Sequence, residues 1–239
     1  MGRVGLSPFC SNNHEEQTVV ASNPTQSVLS APATERVELL VVCGVVGLVG
    51  AILPNIINVI ASTIAEHDFI ADTISDLGRG PHKWIMDLGF YVNAAGLTCL
   101  AVGAAHAHLG GARWSAGIFA LLATAMVTVM LGLWDKFGTG QDLSVHTKLT
   151  FALGPLYAAG PLLMRAGVAK VDARLSVLFI ASAALWLGFA TAFKLAPTSY
   201  DGILEKVAVL TTLLWTVPLS LLLLRRARAL TDANRRTLE

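Results

Sequence analysis

From Val37 onward the chain alternates long apolar runs with short polar links. Six runs stand out, at about 37–61, 85–107, 114–134, 147–164, 175–193 and 207–224, each near the ~20 residues that a helix needs to cross the hydrocarbon core of a bilayer. The pattern predicts an all-α fold, a polytopic membrane helical bundle of six transmembrane helices. Two kinds of stretch depart from it. Residues 1–35 are rich in Ser, Asn, Thr, Gln and Pro and lack periodicity, which predicts a disordered polar tail. The start, MGRVGLSPFC, lacks the apolar core of a signal peptide. The other departure is HDFIADTISDLGRGPHKWIMD, His67 to Asp87, between the first two runs.

That connection predicts a short amphipathic helix in the first outer loop. Asp68, Asp72 and Asp76 fall at i, i+4 and i+8 and share one face, with Ile70, Thr73, Ile74 and Leu77 on the other. Asp68 is placed to cap its start. Gly78 suits a left-handed stop, and Pro81 prevents resumption.

The runs themselves carry local irregularities. Gly44, Gly47 and Gly50 form a smooth stripe in the first run, and Pro54 withholds a donor from the carbonyl of Gly50. Asn55, Asn58 and Ser62 then share one face. Amides in lipid need partners, so this face is predicted to point into the bundle, where it either lines a polar cavity open to the outside or only holds helices together. Asn93 sits in the second run. Thr124 and Thr128 in the third are expected to bond back to their own backbone. The fourth, LTFALGPLYAAGPLLM, has Gly-Pro twice and is expected to be the least regular helix. Trp114, Trp134, Trp186 and Trp215 near run ends read as interface anchors.

Composition agrees with the membrane reading. The chain is 54% hydrophobic and 14% charged, against about a quarter charged for a soluble domain. Charge distribution supplies the orientation. Eleven of the 17 Lys and Arg fall on the side of the N-terminus and six on the other, so both termini are expected inside. Nine of the 16 acidic residues fall outside, which makes the outer face acidic. The expected organisation is a tail at 1–35, a six-helix transmembrane domain at 36–226 and a basic cytoplasmic tail at 227–239, in a bacterial inner membrane. Basic residues form no surface with interleaved aromatics, so nucleic acid is not an expected partner. Cys10, Cys43 and Cys99 have neither metal spacing nor a disulfide pattern and read as packing residues.

The candidate chemistry gathers on the outer side. Asn55, Asn58, Asp72, Ser75, Asp76, Asn93 and His146 are the candidate ligand-binding residues. His146 comes from a Gly-rich loop that also supplies Asp135 and Asp142 and is expected to fold over the first loop. His67, Asp68 and His82 are candidate metal ligands, with residue types that suit hard or borderline cations, although no spacing matches a metal motif. His106 and His108 point to different helix faces and make no pair. No nucleophile elbow or phosphate loop is present, and the sequence leaves any cofactor unknown.

The run DTISDLGRGPHKWIMDLGFYVNAAGL, directly after the first span, resembles the prokaryotic membrane family called domain of unknown function 998. Ile74, Ser75, Asp76, Leu77 and Gly78 match its Ile-Ser-x-Leu-Gly signature, and His146 fits a downstream histidine. The resemblance covers about residues 38–224 and implies a six-span bundle; it implies no settled activity. More distantly, the loop is similar to that of the DRAM, Frag and Sfk-type membrane proteins, which are linked to lipid handling and autophagy. Three functions are weighed on these residues. One is non-catalytic binding of a lipid or small molecule in a polar pocket open to the outer face. Another is an accessory subunit of a larger membrane complex. The third is a metal-dependent membrane enzyme. Expected partners are the bilayer, a bound lipid or such a complex.

Overall fold

A computed structural model describes residues 35–133 and 144–236. Every regular element among them is helical: α1 (Val37–Ile64), α2 (Ile74–Leu77), α3 (Lys83–Ala107), α4 (Ala112–Leu133), α5 (Val145–Ala169), α6 (Ala173–Leu195), α7 (Asp201–Thr211) and α8 (Leu213–Arg236). The helices belong to one compact unit within residues 35–239. Five stretches are long and apolar enough to cross a membrane: α1, α3, α4, α6 and the combined α7–α8. The expected fourth span, α5, is 25 residues long but is not among them; its two Gly-Pro pairs and its polar start dilute the apolar run. Residues 1–34 of the expected polar tail and the loop residues Trp134, Asp135 and Asp142 lie outside the described residues.

The long helices form a ring. α1 packs on α3, then α3 on α4, α4 on α5 and α5 on α6. The last apolar run closes the ring in two directions, because α7 leans on α6 whereas α8 leans on α1. α1 and α7 therefore make at most marginal contact, and a gap separates them at one end of the bundle. α2 touches both and roofs that gap.

Glycine permits the closest crossing. A Cβ on Gly50 would overlap Gly96 Cα and come within 2.8 Å of Val92 O, so two backbones meet there as small-residue interfaces allow. One turn on, Pro54 leaves Gly50 O without its helical donor, and Asn93 Nδ2 of α3 supplies the bond at 3.0 Å. α1 continues unbroken through the proline.

Helix regularity reverses the expectation. α5 runs without interruption through Pro155 and Pro161. The break falls instead at Thr212, in the last run. There Thr211 and Thr212 hydroxyls donate to carbonyls three residues back, Ala208 O and Val209 O, at 2.6 and 2.7 Å. Ser182 Oγ donates to Thr211 O at 2.7 Å, and Pro218 lacks the donor that would bond to Leu214 O. Side-chain competition for carbonyls loosens a helix, and three such bonds, together with the donor that proline withholds, split this one.

The tryptophans also differ from expectation. Trp114, Trp186 and Trp215 are buried core residues, not interface anchors; Trp215 is only 1% exposed. Glycines make room for two of them. A Cβ on Gly160 would lie 2.8 Å from the Trp215 ring, and one on Gly167 would collide with Trp114. Indole N–H groups of Trp114 and Trp186 donate to Ala104 O and Gly154 O, each at 2.9 Å, which satisfies the polar handle a buried Trp carries. Trp84, by contrast, is 64% exposed. Thr124 and Thr128 do bond back, to Ala120 O and Thr124 O.

At the other end of the bundle, Glu35 accepts from Arg226 Nε at 2.6 Å and also from Arg226 Nη2. This ties the start of α1 to α8. The Arg226 guanidinium holds the Glu35 carboxyl below its ordinary range. α8 itself extends to Arg236, past the expected start of the basic tail at 227.

Candidate functional site

The first loop folds back on the bundle. Its helix is shorter than the carboxylate ladder predicts, covering only Ile74–Leu77. The start is capped by Thr73, not Asp68. Thr73 Oγ1 accepts from Asp76 N at 3.2 Å and Asp76 Oδ2 accepts from Thr73 N at 2.9 Å, a reciprocal capping box. Asp68 instead stabilises the preceding turn, accepting from Ile70 N and Ala71 N at 2.8 and 3.2 Å; those two bonds hold its carboxyl below the usual range. The left-handed glycine is Gly80, with φ +72°, whereas Gly78 has φ −76°. Ile74 and Leu77 then pack into a small core with Ile57 and Ala61 of α1 and Ile85 and Met86 of α3.

α7 grips the other side of the loop. A Cβ on Gly202 would overlap Asp72 O and lie 2.8 Å from Ile70 O, so only glycine lets the loop backbone lie on the helix. Three hydrogen bonds follow from that approach. Ile203 N donates to Ile70 O at 2.8 Å. Ile74 N donates to Glu205 Oε2 at 2.6 Å, and Lys206 Nζ donates to Asp72 O at 2.6 Å. Lys206 is buried and sits 4.8 Å from the centre of the Phe69 ring.

Beneath this roof lies a cavity of about 550 Å³ with mostly apolar walls, within the ~300–1,000 Å³ range of small-molecule sites. Its edge is formed by Ile52, Ile56, Val59 and Ile60 of α1 and Leu210 of α7, all of them exposed. The cavity thus opens sideways through the gap between α1 and α7. Its polar groups follow the bundle axis. Asn93, Tyr157 and Thr128 lie deep; Tyr157 Oη donates to Asn93 Oδ1 at 3.2 Å. Ser75, His146, Lys194, Glu205 and Lys206 cluster at the roof. Ser75 Oγ and His146 Nε2 are 2.9 Å apart. Lys194 Nζ lies 4.3 Å and 5.1 Å from the ring centres of Phe193 and Phe151, a cation resting on aromatic faces.

Asn58 stands between the two levels. It is 7% exposed and lines the cavity, and its Nδ2 donates to no acceptor among the described residues. Such a buried donor costs about 1–3 kcal/mol while it remains unmatched.

Of the seven residues the sequence singles out, five line this cavity: Asn55, Asn58, Ser75, Asn93 and His146. Asn55 Nδ2 spends a bond on Ala51 O at 2.9 Å. Asp72 and Asp76 lie outside the cavity and fix the loop's own shape, Asp72 by accepting from Asp68 N at 2.7 Å. The metal candidates do not converge. His67 Nδ1 is 3.8 Å from Asp72 Oδ2, and burial pushes its pKa down. His82 is exposed at the start of α3, and no three His, Cys, Asp or Glu side chains converge for a metal among the described residues. Sequence reasoning missed Lys194, Glu205 and Lys206. The signal was available for the last two: adjacent opposite charges in DGILEKVAVL, next to an apolar run, are costly in a bilayer and so point to a site.

A ring of apolar helices around a side-opening cavity defines this molecule as a multi-pass membrane protein. The chain belongs to the family described as Protein of unknown function (DUF998), whose model matches residues 45–222. No curated protein and no solved structure matches it.

Proposed function

We propose that the protein binds an amphiphile of the bilayer, a lipid or lipid-like small molecule, in the cavity between α1 and α7. The observation that carries this reading is the orphaned amide of Asn58 in an apolar-walled space. A buried donor is normally matched, and an acceptor on a bound molecule would match this one. The remaining geometry suits an amphiphile. An apolar tail enters between Ile56 and Leu210 without crossing water, and a polar head meets Ser75, His146 and Lys194 beneath the roof. With the orientation given by the arginine and lysine counts, the roof faces the outer side of a bacterial inner membrane.

The test is native mass spectrometry of the full chain released gently from its membrane. A bound lipid mass is expected on the wild type, with occupancy at least ~5-fold lower on Asn58→Leu, since loss of one ligand hydrogen bond is worth about 1 kcal/mol. A protein that is always empty, and that no added lipid stabilises, overturns the proposal.

A further inference from the structure

We infer that Ser75 and His146 are an acyl-transfer pair that cleaves a carboxylic ester of the lipid bound in this cavity. The inference rests on the amphiphile-binding reading and adds a reaction to it. Three observations lead there.

The first is the pair itself. Ser75 Oγ lies 2.9 Å from His146 Nε2, and both residues line the cavity. That distance is what general-base activation of a hydroxyl requires. The two come from elements 71 positions apart in the chain, so tertiary packing, not local structure, brings them together.

The second is that the bond is not needed to hold the roof. Ile203 N to Ile70 O, Ile74 N to Glu205 and Lys206 to Asp72 O already fasten the loop to α7. Ile74 and Leu77 fasten it to α1 and α3. A fourth tie, made by a histidine inside a ligand-sized cavity, is surplus to anchoring.

The third is Asn58. Its neighbours on α1, Ile57 and Ala61, pack in one cluster with Ile74, the residue before Ser75. An unmatched amide donor thus lines the same cavity as the nucleophile. A donor held in a dry site and aimed where a carbonyl oxygen becomes negative is worth far more than in water.

The reaction balances with water as co-reactant. Ser75 Oγ attacks the ester carbonyl carbon while its proton passes to His146 Nε2. The carbonyl oxygen takes the developing charge and accepts from Asn58 Nδ2. The bond from carbonyl carbon to alkoxy oxygen breaks, and His146 returns the proton to the departing alcohol. A water molecule then attacks the acyl-Ser75 ester with His146 again taking and returning the proton. The products are a fatty acid and an alcohol, and the serine is restored. Lipid esters fit because the side opening admits them directly from the bilayer and an alcohol is a better leaving group than an amine.

The test uses the full chain in detergent micelles, with an alkyl fluorophosphonate as the covalent probe and a fluorescent fatty acid as the reporter of cavity occupancy. Peptide mass spectrometry is expected to find the phosphonate on Ser75. His146→Gln keeps a hydrogen-bonding side chain and removes the base; its labelling rate is expected to fall at least ~100-fold, the usual worth of a general base, with the melting temperature retained. Release of fatty acid from an acylglycerol in mixed micelles should fall in parallel. Reporter binding with no label on Ser75, or equal labelling of wild type and His146→Gln, overturns the acyl-transfer assignment and leaves the binding site standing. Absence of both binding and labelling overturns the two readings together.

Discussion

Replacing Gly202 by alanine tests whether the roof over the cavity depends on backbone contact with α7. The added Cβ would overlap Asp72 O and stand 2.8 Å from Ile70 O. Carbon–oxygen contacts relax to about 3.3–3.6 Å, so clearing Asp72 O, 2.2 Å from the added Cβ, requires the loop to retreat by ~1 Å, and a flexible side chain cannot absorb this because both obstacles are backbone. The retreat stretches three bonds now at 2.8, 2.6 and 2.6 Å. One is a neutral backbone bond worth about 1 kcal/mol and two involve charged groups worth about 1.5–3 each, so complete rupture would cost ~4–7 kcal/mol. Gly202→Ala strains them without removing a partner, and about half that loss is the expected outcome. The assay is thermal unfolding in micelles together with hydrogen exchange over residues 68–78. Loss of several degrees, with protection lost selectively in that segment, is expected. Unchanged melting and unchanged protection would refute the reasoning, because the loop would then be held by something other than this seam.

Further predictions concern single groups. Asn58→Leu should raise the melting temperature of delipidated protein, because the unmatched amide and its cost of ~1–3 kcal/mol disappear, while abolishing most stabilisation by added lipid; a gain in neither direction would remove Asn58 from the site. Asn93→Leu should destabilise by about 1–3 kcal/mol by stripping Gly50 O of its donor. The same change should cost less in a Pro54→Ala background, where the helix supplies its own bond to that carbonyl, and equal costs in the two backgrounds would show that Asn93 acts elsewhere. Acid should destabilise the protein in two stages, read as melting temperature against pH. His67 has its pKa lowered by burial, so the unfolded chain takes up its proton first and stability declines as pH falls below ~6.5. Asp68 and Glu35 have lowered pKa values, so their contribution is complete above ~4–4.5 and fades as pH falls through their folded values. His67→Phe should flatten the upper stage only.

Much of the roof's chemistry was visible one residue at a time, and its arrangement was not. Asn58 and Ser75 could be picked out because an amide in an apolar run and a hydroxyl in a polar loop are conspicuous. The carboxylate ladder misled because periodicity counts positions and ignores caps: Thr73 and Asp76 satisfy each other and start the helix five residues later than Asp68 would. Glu205 and Lys206 were passed over as loop charges, since nothing in the linear order says that Gly202 brings them under residues 70–74. The tryptophans misled for a related reason. Proximity to the end of an apolar run resembles an interface position, but glycines on neighbouring helices turn those positions into slots.

The amino-acid order by itself determined that the chain is a bundle of apolar helices for a bilayer, because about twenty apolar residues with satisfied backbone have few other stable forms in lipid. It also determined which carbonyl of α1 would need an outside donor, because proline removes a known bond. Only the tertiary structure decided that α7 and α8 would part at Thr212 and lean on different neighbours. That divergence opens the cavity sideways, and it arises from Ser182, Thr211 and Thr212 competing for carbonyls, a contest settled by which helix packs beside which. The pairing of Ser75 with His146 was decided in the same way, through contacts between segments that no local rule connects.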